Sequence, residues 1–151
     1  MGKEIERKYL VTDGWRDATD GPGTEMRQAY LSTDPRATVR VRVAGDRAWL
    51  TVKGLTRGIE RDEWEYPVPV ADAIAMIERC GSDALSKCRY RSGRWEIDEF
   101  HGSLEGLVVA EIELSSPDES IILPAWIGEE VSDDPRYYNS SLARAGVVPG
   151  R

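Results

Sequence analysis

Apolar and polar positions alternate along most of this chain. Residues 38–43 read Thr-Val-Arg-Val-Arg-Val, with Val39, Val41 and Val43 on one face of an extended segment and Thr38, Arg40 and Arg42 on the other. Two-residue alternation over β-branched side chains predicts a strand. The same pattern predicts strands over residues 3–11, 25–32, 48–53, 60–68, 85–92, 94–100 and 106–115. Residues 44–47 and Ser92-Gly93 read as hairpin turns, Asp34-Pro35 as a break, and Pro67 and Pro69 as the limit of the strand before them. Residues 12–24, rich in Gly, Asp and Thr, read as a loop with a short helical turn near Trp15.

The best helical period lies at residues 70–80. Ile74, Ile77 and Cys80 form a stripe beside Ala73 and Met76, and Gly81 follows where a C-terminal cap is expected. Ser116-Pro117-Asp118-Glu119 carries a capping-box signature with proline at the first helical position, and residues 137–145 read as a short final helix. No internal repeat or linker interrupts the chain, so residues 1–151 are expected to form one domain. The expected fold class is mainly β (α+β), antiparallel, with a few flanking helices. About eight strands are enough to close a barrel whose interior holds side chains or one small ligand.

The polar faces of these strands carry sorted charges. Glu4, Glu6 and Lys8 share one face, spaced about 7 Å apart. Glu63 and Glu65, Glu96 and Asp98, and Glu111 and Glu113 form acidic rows; Arg40 with Arg42, and Lys87 with Arg89 and Arg91, form basic ones; Lys53 shares a face with Thr51. A solvated sheet face is the ordinary reading of any one such row. Taken together the rows read otherwise. Signs are segregated by strand, the opposite faces are strongly apolar, and arginine, whose guanidinium fork suits phosphate oxygens, is prominent in the basic rows. A closed ring of acids and bases is costly if dry. It becomes reasonable in a wet bore that takes up an anion and metal ions.

Composition narrows the partners. Charged residues make up 31% and hydrophobic ones 40%, with a formal net charge of −7 and a pI of about 4.8. That balance argues against a broad nucleic-acid binder, which carries a basic face, but allows a compact anion pocket offset by divalent cations. Cys80 and Cys88 fit neither a disulfide framework nor a zinc knuckle. No apolar run approaches a membrane span and no signal peptide is visible, so no membrane association and a cytoplasmic location are expected. Carboxylates are hard donors suited to Mg²⁺ or Mn²⁺, and paired Arg and Lys can neutralise a triphosphate. Phosphoryl transfer asks for positioning, charge stabilisation and a metal that organises the attacking water.

In this setting the opening Glu4-x-Glu6-x-Lys8 resembles the signature of the CYTH, or triphosphate tunnel metalloenzyme, superfamily. Further motifs follow in that family's order: Gln28-Ala29-Tyr30-Leu31, Val39-Arg40-Val41-Arg42, Leu50-Thr51-Val52-Lys53-Gly54, Arg61-Asp62-Glu63-Trp64-Glu65, Lys87-Cys88-Arg89-Tyr90, Glu96-Ile97-Asp98-Glu99-Phe100, Gly102 and Ala110-Glu111-Ile112-Glu113-Leu114. Trp126 to Val131 and Tyr137-Tyr138-Asn139 resemble its C-terminal segment. The resemblance implies a closed eight-stranded antiparallel β-barrel, a tunnel, that hydrolyses the terminal phosphate of a small-molecule triphosphate with Mg²⁺ or Mn²⁺, two ions. Carried over by position, Glu4, Glu6, Glu111 and Glu113 are metal ligands. Glu63, Glu65 and Asp98 bind a second metal or orient bases. Lys8, Arg40, Arg42, Lys53, Lys87 and Arg89 hold phosphates, with Lys87 and Arg89 nearest the one attacked; Lys87, Arg89, Glu4 and Glu6 form the catalytic set.

The short chain most resembles the family's inorganic triphosphatases, with tripolyphosphate as substrate. Class IV adenylate cyclase, thiamine or nucleoside triphosphatase, and a non-catalytic polyphosphate or nucleotide sensor are the alternatives. Trp49 shares parity with Thr51 and Lys53, so it either faces the bore and stacks a base or fills the barrel end. The single histidine, His101, reads as a surface or loop residue. Exposed barrel flanks leave room for a homodimer.

Overall fold

The computed structural model describes residues 2–150; Met1 and Arg151, the ends of the predicted domain, lie outside the described residues. In chain order it contains β1 (Gly2–Val11), a 3₁₀ turn (Trp15–Ala18), β2 (Thr24–Ser32), β3 (Thr38–Ala44), β4 (Arg47–Lys53), β5 (Glu60–Pro67), α1 (Val70–Arg79), β6 (Ser82–Ser92), β7 (Trp95–Phe100), a 3₁₀ turn (Gly102–Leu104), β8 (Val108–Glu113), β9 (Ile127–Glu130), a 3₁₀ turn (Pro135–Tyr137) and α2 (Asn139–Ala145). Neighbours run in the order β5-β4-β3-β2-β6-β7-β8-β1, and β1 returns to pair with β5. Eight antiparallel strands therefore close into a barrel, as the alternation and the family resemblance implied.

β1 makes the closure. Its first half lies against β5, with Glu4 opposite Arg61. Its second half lies against β8, with Glu6 opposite Glu113 and Lys8 opposite Glu111. On the edge that β5 vacates, Tyr9 and Val11 take up β9 as a ninth strand. β9 was not expected: it is only four residues long and Gly128 interrupts its alternation.

Of two end signals, one held and one did not. Gly81 follows α1 and its N–H caps the Met76 carbonyl at 2.7 Å; it is also needed for space, since a Cβ there would meet Ala29 Cβ at 2.6 Å and the Ile77 carbonyl oxygen at 3.0 Å. The segment 116–119 forms no helix. The Glu119 carboxylate instead reaches back to the Ser115 backbone N–H at 2.7 Å and hydroxyl at 3.0 Å, and pairs with Arg94 at 2.7 Å. Its charge is spent on a turn.

The outer faces of the barrel pack in two places. α1 covers Ala29, Val41 and Ala48 with Ala73 and Ile77, while Ile74 stays at the exposed margin. On the other side Tyr9, Ile97, Ala110 and Ile112 lie under Trp15, Trp95 and Trp126, with Trp95 edge-on to both Tyr9 and Trp126. Trp64 and Tyr66 on β5 remain exposed. Cys80 is exposed and Cys88 buried, both as free thiols.

A third core lies inside the barrel. The inward rows that carry Lys8, Lys87, Asp98 and Glu111 continue, two residues on, with Leu10, Leu85, Phe100 and Val109. These pack with Val131, Tyr137, Leu142 and Val148. α2 and the turn before it thus stopper one end of the barrel on the β6-β7-β8-β1 side, while the loop at residues 12–24 packs outside.

Candidate active site

The period-two rows place their charged side chains into one cavity of about 270 Å³. Lining it are Glu4, Glu6 and Lys8 from β1, Arg40 and Arg42 from β3, Lys53 from β4, Glu63 and Glu65 from β5, Lys87 and Arg89 from β6, and Glu111 and Glu113 from β8. Of the residues expected there, Asp98 is the exception: it does not line the cavity but lies buried behind Lys87 and Arg89. Trp49 is also absent from the lining, opposite Arg42 on β3 and Pro67 on β5, so the stacking role allowed for it is not realised.

The β1–β8 wall is acidic. Burial, then the charges of Glu111 and Glu4, push the Glu6 carboxyl well above its ordinary range. Burial acts on Glu111 in the same sense, but Lys8, whose ammonium lies 3.7 Å away, and a hydrogen bond from Glu6 outweigh it and bring Glu111 down to about 2. The pair therefore favours a proton on Glu6. Glu4 accepts from Lys53 at 3.2 Å. Lys53 also reaches Glu63 at 3.4 Å, whose carboxyl is raised by burial and by Glu4.

The facing wall is basic. Arg40 donates to Thr51 at 3.2 Å and lies 3.6 Å from Glu65, to which Thr51 donates at 2.9 Å. Asp98 accepts from Lys87 at 2.6 Å and twice from Arg89, at 2.7 and 2.9 Å. Burial alone would raise the Asp98 carboxyl, yet these two cations hold it far below its ordinary value. Lys87 moves the other way: burial, with Arg89 and Arg42 adding to it against Asp98, lowers its amine to about 7. Among the described residues Arg42 has no carboxylate partner. Its side chain donates to the Gln28 side-chain oxygen at 2.8 Å, and burial together with Arg40 and Arg89 pulls it down to about 9.

The sequence reading overlooked several lining residues. Arg61 continues the row of Glu63 and Glu65, so parity alone would have given it a place in the site, and Glu96, noted in one row with Asp98, was given no role there. Tyr30, Ser132, Tyr138 and Asn139 also line the cavity. Asn139, the first residue of α2, accepts from Lys87 at 2.8 Å, and the Tyr137 carbonyl accepts from Lys8 at 3.2 Å. These uncharged groups come from a segment remote in sequence and give no charge signal. His101 follows β7 and pairs with Glu25 at 3.0 Å, away from the cavity, as a loop residue.

Among the described residues no set of three Asp, Glu, His or Cys side chains is gathered as a metal cage. The donor chemistry nevertheless fits a hard cation. Glu6 and Glu111 are crowded enough to favour a shared proton, and a divalent ion would relieve that repulsion.

The CYTH domain model matches residues 2–140, the whole barrel and the entry into α2. The chain belongs to the CYTH domain family. A relative from Acetivibrio thermocellus named inorganic triphosphatase is 46% identical over 95% of both chains. A second of that name, from Nitrosomonas europaea, is 35% identical over 93% of this chain and 96% of its own. A solved structure described as an inorganic triphosphatase superposes with a TM-score of 0.65 at 33% identity, covering 97% of this chain and 99% of the other. The CYTH barrel in this chain thus carries acids and bases on facing walls of a single bore. No helix among the described residues is long and apolar enough to cross a membrane.

Proposed function

We propose that this CYTH protein hydrolyses the terminal phosphoanhydride of a triphosphate, inorganic tripolyphosphate before others, with Mg²⁺ or Mn²⁺. The observation that carries the reading is Arg42: a half-buried guanidinium that has no carboxylate partner among the described residues and feels the repulsion of Arg40 and Arg89. A half-buried cation among cations is stabilised by an anion beside it, and a chain of phosphoryl groups supplies that charge. The names of the two near-full-length relatives support the choice of substrate.

The residues divide the work by wall. Glu4, Glu6, Glu111 and Glu113 would hold the cation, with Glu63 and Glu65 on the adjoining wall for a second. When bound, such an ion supplies Lewis-acid stabilisation of charge on phosphoryl oxygens and organises the attacking water. Arg40, Arg42, Lys87 and Arg89 bind and orient the phosphate chain, and Lys8 and Lys53 tie each wall to the next. Charge-assisted donors from several sides fix the chain in line for attack and stabilise charge that moves onto its oxygens. Asp98 acts behind them, holding Lys87 and Arg89 in place; both of its oxygens are engaged by those cations, which favours this role over that of a metal ligand. The α2 stopper excludes water from one end of the bore.

The test is a substrate panel with each metal, following phosphate release and cyclic nucleotide together. Fast phosphate release from tripolyphosphate supports the reading. Cyclic AMP from ATP would replace it with a cyclase, and binding without turnover with a sensor.

A further inference from the structure

Seven cations line the cavity: Lys8, Arg40, Arg42, Lys53, Arg61, Lys87 and Arg89. Five of them have a carboxylate partner within 4 Å. Among the described residues Arg42 and Arg61 do not. Among the described residues, three buried side-chain atoms lack any hydrogen-bond partner, and two of these are guanidinium Nε atoms in this cavity, on Arg40 and Arg61. A buried donor left without a partner is costly, and an acceptor oxygen brought into the cavity would relieve that cost.

Arg42 and Arg61 stand far apart on the barrel wall. Arg42 faces Trp49 across the β3–β4 ladder. Asp62, next to Arg61, bonds to Gly54 just past the other end of β4. Six residues of strand separate the two levels, roughly 20 Å between backbones, and both arginines line the same cavity. Arg42 belongs to the basic cluster with Lys87 and Arg89. Arg61 lies beside the acid wall, opposite Glu4, where Thr56, Gly58 and Ile59 of the β4–β5 loop also line the cavity.

Resting on the triphosphatase reading above, we propose that Arg61 is a specificity-determining residue: it clamps the terminal phosphoryl group at the end of the substrate opposite Arg42, and so selects a triphosphate with two unesterified ends. The chemistry of the two ends makes this a discrimination. An unesterified terminal phosphate carries a charge approaching −2 near neutral pH and offers three free oxygens to a guanidinium fork. In a nucleoside triphosphate the phosphate at that end is a diester-like group with a single charge, and one of its oxygens is committed to ribose. The nucleoside would also have to share the space of Arg61 and the loop carrying Thr56, Gly58 and Ile59.

The experiment compares the intact protein with Arg61→Ala and Arg61→Lys, measuring kcat/KM for tripolyphosphate and for ATP with Mg²⁺, and the affinity for each by calorimetry without metal. Arg61→Ala is expected to lower the tripolyphosphate-to-ATP ratio at least tenfold, chiefly through KM for tripolyphosphate, with Arg61→Lys recovering part of it. Equal losses on both substrates, as a purely structural arginine would give, or an unchanged ratio would overturn the proposal. Calorimetry separates the two levels: an intact protein that binds tripolyphosphate without hydrolysing it overturns the hydrolase reading, while the selectivity assigned to Arg61 is still read from the affinities.

Discussion

The inward rows of the barrel have two halves that differ by one step of the chain. Lys8, Lys87, Asp98 and Glu111 lie in or behind the cavity, while Leu10, Leu85, Phe100 and Val109, two residues along the same strands and on the same face, belong to an apolar core sealed by α2. The backbone is alike in both. What differs is the company: Leu142 and Tyr137 reach the apolar half, and opposite charges answer each other in the polar one. A barrel interior is thus neither wet nor dry by its topology. Lys87 sits at the border, its ammonium bonded to Asp98 and 5.5 Å from the Phe100 ring centre.

The polar half breaks most sharply. Glu4→Gln and Glu6→Gln are each expected to abolish metal-dependent phosphate release while circular dichroism and melting behaviour stay near those of the parent, because one face of one strand is altered and no packing is lost. Full turnover in both variants would remove β1 from the site. The apolar half answers in stability instead. Leu142 is fully buried, so Leu142→Ala should cost about 2–5 kcal/mol in denaturant unfolding. A loss near zero would show that α2 does not stopper the barrel.

Smaller effects sharpen the boundary between the halves. Arg42→Ala should weaken tripolyphosphate binding by at least ~1.5 kcal/mol in calorimetry if its fork meets phosphate as a charge-assisted donor. Unchanged affinity would place it outside the binding path. The last effect is one of pH. The Lys87 amine, lowered to about 7, is charged below that value and neutral above it, so as pH rises from 6 to 8.5 the metal-free protein should lose tripolyphosphate affinity relative to Lys87→Met, in which the substrate's own ionisation acts alike but this amine is gone. A ratio of the two affinities that stays constant over that range would contradict the assignment.

Much of this was legible in the sequence, because a two-residue period writes itself into the order of residues. Glu4-Ile5-Glu6-Arg7-Lys8 declares its two faces, and Val39 to Val43 does the same. Which face points inward is not written there; it became visible only from the segregation of charge among strands. Arg61 was within reach of the same parity that exposed Glu63 and Glu65. Asn139 and Tyr138 were visible only as part of a family-like segment; being uncharged and at the far end of the chain, they gave no sign that they line the cavity. The helix expected at residues 116–119 failed because Arg94 and Ser115 claim Glu119, an attraction set by folding and not by local propensity. Asp98 belonged to an acidic row by pattern, but only coordinates reveal that both its oxygens face cations.

β1 carries a consequence for the life of the chain. It is synthesised before the other strands of the barrel, yet Lys8 has no ladder neighbour until Glu111 exists, and Val11 none until Ile127 does. Such long-separated pairing makes assembly slow and late. A nascent chain therefore holds an unpaired strand edge while almost everything else is being made, and its exposed acids and bases, Glu4, Glu6 and Lys8 among them, are what keep that edge from finding the wrong neighbour.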